Sequence, residues 1–445
     1  MQIGDRIKIS IVDINHDGFG VGRLDGFAIF VPNTLYDEVV TCEISKVNKN
    51  FAYANLIEIN EKSPFRVKPI CGIFDKCGGC HLQHLEYSKQ LEYKVNIAES
   101  TFKRIGHLDI KVDDVIGMDN PYNYRNKIQV PFGNKKGKTI CGYYKRKTHD
   151  IIPFETCYIQ PEYDNDIINF IKNLANEYKI PGYNEFNHTG IIRHVILRTN
   201  YKDEVMVVIV ANSKKLPFVD KIVEKLTSRY PQIVSVILNI NLRKTNVILG
   251  NDSVLLYGSK TIIDRLGDLD FKISHYSFFQ INRTQTVKLY DRVVEYLNPT
   301  LNDIIMDGYC GVGTISLYIA SKVKQVYGVE IIEEAIADAI NNADLNGITN
   351  AKFEVGKVEE KMSEYIEKGL DAIIIDPPRK GVDKNVLDLI IESNIKKIVY
   401  VSCDVATLAR DLEILSAAYE VDKVTVVDMF PQTTGIETVV LLNAK

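Results

Sequence analysis

A cysteine and a glutamate near the carboxyl terminus have the types and positions of a covalent catalytic pair. Cys403 closes the apolar strand KKIVYVS and precedes a helical segment, TLARDL. Backbone N–H groups at a helix N-terminus favour thiolate, so the position predicts a lowered thiol pKa and a nucleophile. Glu437 begins the last apolar strand, ETVVLL, where a carboxylate can act as a base. Taken singly, a buried inert cysteine and an exposed strand-end acid are the alternatives.

A glycine-rich turn marks a second candidate site. Residues 307–313, DGYCGVG, follow an apolar strand and open an apolar helix, an arrangement that lets a ligand approach the backbone closely. Glu330 ends the next strand, where a carboxylate can accept hydrogen bonds from a ribose diol, and Asp376 ends a later one. The turn is neither a G-x-G-x-x-G motif nor a P-loop. These features predict an S-adenosylmethionine site rather than a nicotinamide site.

The residue after Asp-Pro-Pro bears on the methyl acceptor. Resemblance to the amino-methyltransferases would require an aromatic residue there, to hold a flipped base with its exocyclic nitrogen at the cofactor methyl, and this chain has Arg379. A carbon acceptor is therefore favoured. C5 of uracil is too weak a nucleophile to take the methyl group directly, but thiolate addition to C6 gives C5 carbanion character. A base then removes the C5 proton and the thiolate is expelled, which requires a cysteine and a carboxylate beside one cofactor.

The elements that must position these residues fall into four segments of the chain. Residues 1–59 read as short β-strands of a small barrel, and residues 87–105 have the three-to-four spacing of an amphipathic helix. Residues 122–256 look mixed and β-rich. From about 303 strands alternate with helices, which predicts an α/β, doubly wound parallel sheet.

Composition and charge exclude several classes of protein. Of the 445 residues 45% are hydrophobic and 25% charged, which is typical of globular chains and not of disordered or collagen-like ones. No apolar run reaches the length of a membrane span, and the start has no secretory signal. We therefore expect a cytoplasmic protein with no membrane association, and nothing in the chain indicates an obligate protein partner.

Charge is unevenly distributed around the net value of −4. Residues 303–445 contain 14 Lys/Arg and 24 Asp/Glu, whereas residues 124–149 contain eight Lys/Arg, several aromatic residues and no acid. A basic stretch interleaved with aromatics can neutralise phosphates and stack bases, although a solvated basic hairpin has the same composition.

Together these residues resemble the RNA uracil-5-methyltransferases that bind an iron–sulfur cluster, and the resemblance extends over essentially the whole chain. It implies an RNA-binding TRAM domain, an OB-like barrel, at 1–59. It further implies a central domain at 60–256, whose segment 87–121 packs with the catalytic domain, and a class I, Rossmann-like methyltransferase domain at 257–445. The resemblance implies these site residues: Gln280, Tyr309, Glu330 and Asp376 for the cofactor, Cys403 as nucleophile, and Glu437 as base.

The same resemblance assigns four cysteines to a [4Fe–4S] cluster: Cys71, Cys77, Cys80 and Cys157. Spacing alone does not separate a cluster from zinc, since four thiolates suit both. The barrel and the cluster point to 23S rRNA as the substrate. A tRNA enzyme, a cytosine-5-methyltransferase and a non-catalytic iron–sulfur RNA-binding protein are the alternatives.

Two departures from the family pattern lie beside the catalytic pair. Family members usually have Asn-Pro after the nucleophile, where this chain has Asp404-Val405. They also usually have a histidine two residues before the base, where this chain has Gly435. Both departures put local geometry in question without removing a reacting group.

Overall fold

The computed structural model describes residues 1–393 and 395–445, and its first five strands close into a small barrel. They are β1 (Arg6–Ile14), β2 (Phe19–Leu24), β3 (Phe27–Pro32), β4 (Glu38–Val47) and β5 (Phe51–Glu61). The strand order is β1-β2-β3-β5-β4. Alternating side chains such as Ile9, Ile29 and Ile44 fill the interior, because successive residues of a strand point to opposite faces. The predicted amino-terminal barrel is confirmed.

The segment after the barrel contributes α1 (Tyr87–Ile105) and β6 (Asp114–Ile116) to the carboxyl-terminal half of the molecule. Ala98 and Phe102 of α1 are fully buried in the core of that half, where they pack with Leu408 and Leu412. The close fit is visible at Gly106, where a Cβ atom would lie 2.7 Å from the carbonyl oxygen of Ala409.

A seven-stranded mixed sheet forms the middle of the molecule. Its elements are β7 (Lys127–Lys135), β8 (Lys138–Tyr144), β9 (Ile151–Pro153), α2 (Glu162–Glu177), β10 (Ile192–Thr199), β11 (Val205–Ala211), α3 (Val219–Arg229), β12 (Ile233–Ile240) and β13 (Asp252–Gly258). The strand order is β13-β12-β11-β10-β7-β8-β9. Every residue of β10 and β11 is buried, because α2 and α3 cover one face of the sheet and the carboxyl-terminal half of the molecule covers the other.

The hairpin of β14 (Thr261–Leu266) and β15 (Leu269–Ser274) leads into the catalytic sheet. The remaining elements are α4 (Arg283–Leu297), β16 (Ile304–Gly308), α5 (Thr314–Ala320), β17 (Gln325–Glu330), α6 (Glu333–Leu345), β18 (Ala351–Val355), α7 (Val358–Glu367), β19 (Ala372–Ile375), α8 (Lys384–Glu392), β20 (Lys397–Ser402), α9 (Val405–Leu415), β21 (Tyr419–Val427) and β22 (Glu437–Ala444). The predicted doubly wound class I methyltransferase fold is confirmed.

The order of the catalytic sheet, β18-β17-β16-β19-β20-β22-β21-β6, positions the site. From β16 the chain builds outward to β17 and β18 on one side and later to β19 and β20 on the other. Ligands bind at such a switch point, outside the carboxyl ends of the strands.

In the described part of the chain, no helix combines the length and the apolar character needed to cross a membrane.

Candidate active site

The strand register places Cys403 and Glu437 at the same edge of the catalytic sheet. β20 and β22 are antiparallel neighbours in which Ser402 lies opposite Thr438, and the Thr438 hydroxyl donates to the Ser402 carbonyl at 3.2 Å. Cys403 is the next residue after β20, and Glu437 is the first residue of β22. Both line one large cleft of about 2620 Å³ together with Asp376, which follows the end of β19.

The predicted lowering of the Cys403 pKa is wrong. Burial, followed by the negative charges of Glu437 and Asp376, raises the pKa of the Cys403 thiol to about 11, while Arg379 acts in the opposite direction. In the protein without RNA the side chain is therefore a thiol at neutral pH, and it must lose its proton before it can attack a base.

Asp404 explains why the helix N-terminus does not activate Cys403. It is the N-cap of α9, and its Oδ1 accepts hydrogen bonds from the backbone N–H groups of Ala406 and Thr407, each at 3.0 Å. The free N–H groups of the helix end are thus satisfied by a carboxylate, whose negative charge also raises the pKa of Cys403. The departure from Asn-Pro at this position replaces a neutral cap by a charged one.

Glu437 is a buried acid with a single nearby cation. Its side chain is 2% exposed, and burial together with the charge of Asp376 raises its pKa well above the usual range of a carboxyl, while Arg379 lowers it. The pKa of Asp376 is likewise raised to about 7 by burial and by Asp307. Arg379 lines the same cleft and lowers the pKa of both Cys403 and Glu437, an effect that the Asp-Pro-Pro pattern did not predict.

The glycine-rich turn after β16 forms a cradle of left-handed backbone. Tyr309, Gly311 and Gly313 all have positive φ angles, of 68°, 54° and 79°. At Gly313 a Cβ atom would lie 2.9 Å from the ring of Phe353, so the turn requires glycine there. The Ser316 hydroxyl donates to the buried carboxylate of Asp307 at 2.5 Å, which fastens α5 to the end of β16.

The other predicted cofactor residues line the same cleft. Glu330 ends β17, and its Oε1 accepts the backbone N–H groups of Ile331 at 2.8 Å and Ile332 at 3.1 Å. Gln280 is 8% exposed, and the amide of Asn126 fixes its backbone carbonyl at 2.9 Å. Sequence reasoning missed the two isoleucines, which remain 64% and 54% exposed and present an apolar wall beside Glu330. Two large apolar residues after a strand-end acid were the available signal.

The loop before Glu437 is compact and tied to the rest of the protein. At Gly435, where family members usually have histidine, a Cβ atom would lie 3.0 Å from the ring of Phe430, which occupies the adjacent space. Gln432 has a φ of 69° and is 2% exposed, and its carbonyl accepts the backbone N–H groups of His81 at 2.8 Å and Leu82 at 3.0 Å. The base-bearing loop is therefore held by the segment that follows Cys80.

The four predicted metal-ligating cysteines line one cavity of about 380 Å³: Cys71, Cys77, Cys80 and Cys157. The Gly79 N–H donates to the Cys77 sulfur at 3.3 Å. Burial raises the pKa of Cys80 and of Cys157 to about 12 each. Among the described residues, no three His, Cys, Asp or Glu side chains are placed to hold a single metal ion.

The basic stretch 124–149 is divided by the structure. Lys135, Lys136 and Lys138 are exposed at the turn between β7 and β8, where Lys136 and Gly137 have positive φ angles. Lys127 instead lines the cysteine cavity, and burial lowers its pKa to about 7. Only part of the predicted RNA-binding stretch is therefore available at the surface.

Two family models match the sequence. One, described as tRNA (Uracil-5-)-methyltransferase, covers residues 86–445, and the other, described as TRAM domain, covers residues 1–57. The first match includes Cys403 and Glu437, and the second coincides with the barrel.

Similar proteins match along nearly their whole length. An uncharacterized RNA methyltransferase of Clostridium acetobutylicum is 46% identical over 443 residues, which are 98% of this chain and 96% of that protein. One of Staphylococcus aureus is 44% identical over 441 residues, 98% of this chain and 97% of that protein. The crystal structure of Pyrococcus abyssi tRNA (uracil-54, C5)-methyltransferase in complex with S-adenosyl-L-homocysteine superposes with a TM-score of 0.80 at 30% identity, covering 98% of this chain and 100% of that one.

Proposed function

The chain belongs to the tRNA (uracil-5-)-methyltransferase family, and from that premise we propose that Cys403 and Glu437 transfer a methyl group to C5 of a uridine in RNA. That the protein is an S-adenosylmethionine-dependent RNA methyltransferase follows from the family and from the bound product in the Pyrococcus enzyme. The observation that supports the residue assignment is the meeting of Cys403 and Glu437 across neighbouring strand ends in one cleft.

The cleft fits the methyl donor. The left-handed turn after β16 brings backbone close to a ligand, Glu330 ends the adjacent strand, and Ile331 and Ile332 offer an apolar wall for a flat ring. When bound, S-adenosylmethionine supplies an electrophilic methyl group. Gln280 and Tyr309, which also line the cleft, complete the proposed binding set.

The proposed reaction proceeds by covalent addition. The Cys403 thiol loses its proton, and the sulfur forms a bond to C6 of the uracil, so that the electron pair of the C5–C6 double bond moves onto C5 and O4. C5 then forms a bond to the methyl carbon as the bond between that carbon and the donor's sulfonium sulfur breaks, which leaves S-adenosyl-L-homocysteine. Glu437, in its carboxylate form, removes the C5 proton, the double bond reforms, and the sulfur leaves C6. Arg379, a cation that lines the cleft and lowers the pKa of both groups, favours the two anionic forms that the reaction requires.

A fluorine label tests the covalent step. RNA with 5-fluorouridine at the target should trap the wild-type protein in a bond that survives denaturation, because fluorine does not leave as a proton does. Cys403→Ala should bind S-adenosylmethionine as the wild type does and yet release no tritium from RNA labelled with [5-³H]uridine. Turnover retained by Cys403→Ala would refute the mechanism, and a wild type that releases no tritium in the presence of donor would indicate a binding protein.

We propose 23S rRNA as the substrate. The support is the combination of a TRAM barrel with a four-cysteine set, which in the family resemblance accompanies action on the large ribosomal subunit. The barrel alone does not distinguish rRNA from tRNA as the substrate, since the match to the Pyrococcus tRNA enzyme covers 98% of this chain, the barrel included. That match makes tRNA the second candidate. Mapping of 5-methyluridine in rRNA and tRNA from a deletion strain separates them: loss in rRNA alone supports the proposal, and loss in tRNA alone refutes it.

We also propose that the four cysteines hold a [4Fe–4S] cluster. Their thiols surround a cavity of about 380 Å³ rather than a single point, and an N–H group already points at the Cys77 sulfur. A cluster needs four such thiolates and benefits from N–H donors to sulfur. Protein purified without oxygen should be brown with close to four irons per chain, and Cys157→Ala should bleach it. Stoichiometric zinc without iron under those conditions would refute the assignment.

A further inference from the structure

Four loops emerge together at one end of the central sheet. β10 is antiparallel to both β7 and β11, and β11 is parallel to β12. In this register the β7–β8 hairpin and the loops 184–190, 212–217 and 241–251 lie at the same end. Two contacts confirm the neighbourhood, since the Asn212 N–H donates to the Ile191 carbonyl at 2.7 Å and the Asn241 N–H donates to the Ala211 carbonyl at 2.8 Å.

This end of the sheet is strongly basic, in a chain with a net charge of −4. Its exposed cations, termed here the basic end, are Lys135, Lys136, Lys138, Lys214, Lys215, Arg243 and Lys244. All seven remain outside the ion pairs that the described residues form. Glu185 is the sole acid of the four loops, and it is bound by Tyr144 and His149. The seven cations of the basic end therefore outnumber the nearby acids, of which Asp252, exposed at the start of β13, flanks the loop 241–251.

Buried polar side chains hold the loop 241–251 in a fixed shape. Arg193, 3% exposed, donates through Nη1 to the carbonyls of Asn241 at 3.0 Å and Arg243 at 2.6 Å, and through Nη2 to that of Thr245 at 3.0 Å. The Asn241 amide donates to the carbonyl of Val247 at 2.7 Å. The buried guanidinium of Arg193 thus donates these hydrogen bonds to a solvent-exposed loop, and the bonds fix the backbone from which Arg243 projects.

An aromatic side chain stands beside these cations. Phe186 is 96% exposed at the tip of the loop 184–190. The Asn184 side chain accepts the N–H groups of Phe186 at 2.9 Å and Asn187 at 3.2 Å, which closes the turn under the ring. A fully exposed phenylalanine on an ordered turn is costly in water and is suited to stacking on a base.

The basic end is continuous with the catalytic cleft. The Tyr276 hydroxyl donates to the carbonyls of Gly250 at 2.9 Å and Asn251 at 3.0 Å, at the end of the ordered loop. Tyr276 and Asn251 both line the cleft that contains Cys403. A chain of phosphates leaving the cleft at this side meets the basic end without crossing an acidic surface of these loops.

We propose that the basic end binds the phosphate backbone of the substrate RNA outside the target nucleotide, with Phe186 stacking on an unpaired base. This inference rests on the proposed function in one respect, that RNA enters the cleft. Seven unpaired cations suit a polyanion, because each phosphate that they neutralise releases condensed counterions. The fold brings the lysine hairpin together with three further loops, the nearest of which begins 46 positions after Lys138 in the sequence.

Charge reversal in the ordered loop tests the proposal against a matched control. Arg243→Glu/Lys244→Glu should weaken binding of unmodified 23S rRNA and tRNA transcripts roughly tenfold and reduce the slope of log affinity against log salt by about 1–2. Lys322→Glu/Lys324→Glu makes the same charge change at exposed positions before β17, at the opposite edge of the catalytic sheet, and should leave both quantities near wild type. Affinity for S-adenosylmethionine should be unchanged in both variants.

The stacking residue gives an independent measurement. Phe186→Ala should lower RNA affinity about fivefold or more at every salt concentration, and Phe186→Tyr should restore it, since a base stacks on either ring. An unchanged salt slope in the Arg243/Lys244 variant would overturn the proposal, and it is the result expected if this surface binds a protein instead. An equal loss of RNA affinity in the control variant would also overturn the proposal. The substrate assignment fails separately, when wild type methylates only tRNA, in which case the same variants are compared on tRNA.

Discussion

Replacing Asp404 by asparagine separates two effects of its carboxylate. The side chain caps α9 through the N–H groups of Ala406 and Thr407, and its charge raises the pKa of Cys403. Asparagine retains an oxygen that can accept both hydrogen bonds but has no charge. Asp404→Asn should therefore leave the helix intact and make the nucleophile easier to ionise, whereas Asp404→Ala removes the cap as well.

The expected size of the effect follows from the order of the charges around the thiol. Asp404 comes after Glu437 and Asp376 among the groups that raise the Cys403 pKa, so its contribution is smaller than theirs. Two unit charges about 6 Å apart in water interact by ~0.7 kcal/mol, which corresponds to roughly threefold more thiolate at a given pH below the pKa. Asp404→Ala should additionally lose about 1 kcal/mol of stability, because two N–H groups at the start of α9 lose their partner.

The assay is the rate of covalent trapping on RNA that contains 5-fluorouridine, at saturating RNA and donor and from pH 6.5 to 9. Asp404→Asn should trap roughly threefold faster than wild type at pH 7. Asp383→Asn is a matched control, since Asp383 caps α8 by accepting the Asn385 N–H at 3.1 Å and is absent from the groups that shift the Cys403 pKa. Equal rates for wild type and Asp404→Asn, or the same acceleration in Asp383→Asn, would refute the electrostatic reasoning.

Three further predictions follow from buried groups. With a Cys403 pKa of about 11, the thiolate fraction rises about tenfold per pH unit from 7 to 9, so the trapping rate of wild type should rise in parallel, and a flat profile would mean that RNA binding has already ionised the thiol. In Glu437→Gln, Cys403 should add to C6 and C5 should take the methyl group, but elimination should fail, so a labelled protein–RNA species should survive denaturation. Normal turnover without this species would identify another base. Lys94 and Asp428 form a fully buried ion pair at 2.5 Å, and Lys94→Met should lower the free energy of unfolding by about 3–5 kcal/mol in urea titrations, because it leaves a carboxylate buried without its cation. A loss below about 1 kcal/mol would refute this cost for breaking the buried ion pair.

The sequence predicts those residues of the candidate site that lie at strand ends. Cys403, Glu330 and Asp376 each follow or end an apolar strand in the sequence, and parallel strands bring their carboxyl ends to one edge. The proximity of Glu437 to Cys403 was not predictable from pattern, because it depends on β22 entering antiparallel between β20 and β21. The family resemblance supplied that pairing, and the strand register now gives it a geometric reason.

Electrostatics and burial explain what sequence reasoning missed. Cys403 does lie before a helix, as the sequence predicts, yet its thiol is not activated. Burial and the charges of Glu437 and Asp376 raise its pKa, and Asp404 occupies the N–H groups that the prediction assigned to sulfur. Composition predicts that the basic stretch acts as one unit, but Lys127 begins a strand that covers the cysteine cavity, whereas Lys136 lies at an exposed turn. A count of charges along the chain contains no information about which side of a strand faces a cavity.

The joining of β6 and α1 to the carboxyl-terminal half has a consequence for the order of events during synthesis. Asp114 of β6 pairs with Thr425 of β21, about 310 residues later in the chain. At ~5–20 residues per second, a ribosome needs ~15–60 s to make the intervening polypeptide. For that time the face of α1 that contains Ala98 and Phe102 has no partner, since Leu408 and Leu412 do not yet exist. The nascent protein must therefore keep the apolar face of this amphipathic helix from aggregating during that time. Ribosome-bound chains that end before α9 should recruit chaperones through this face.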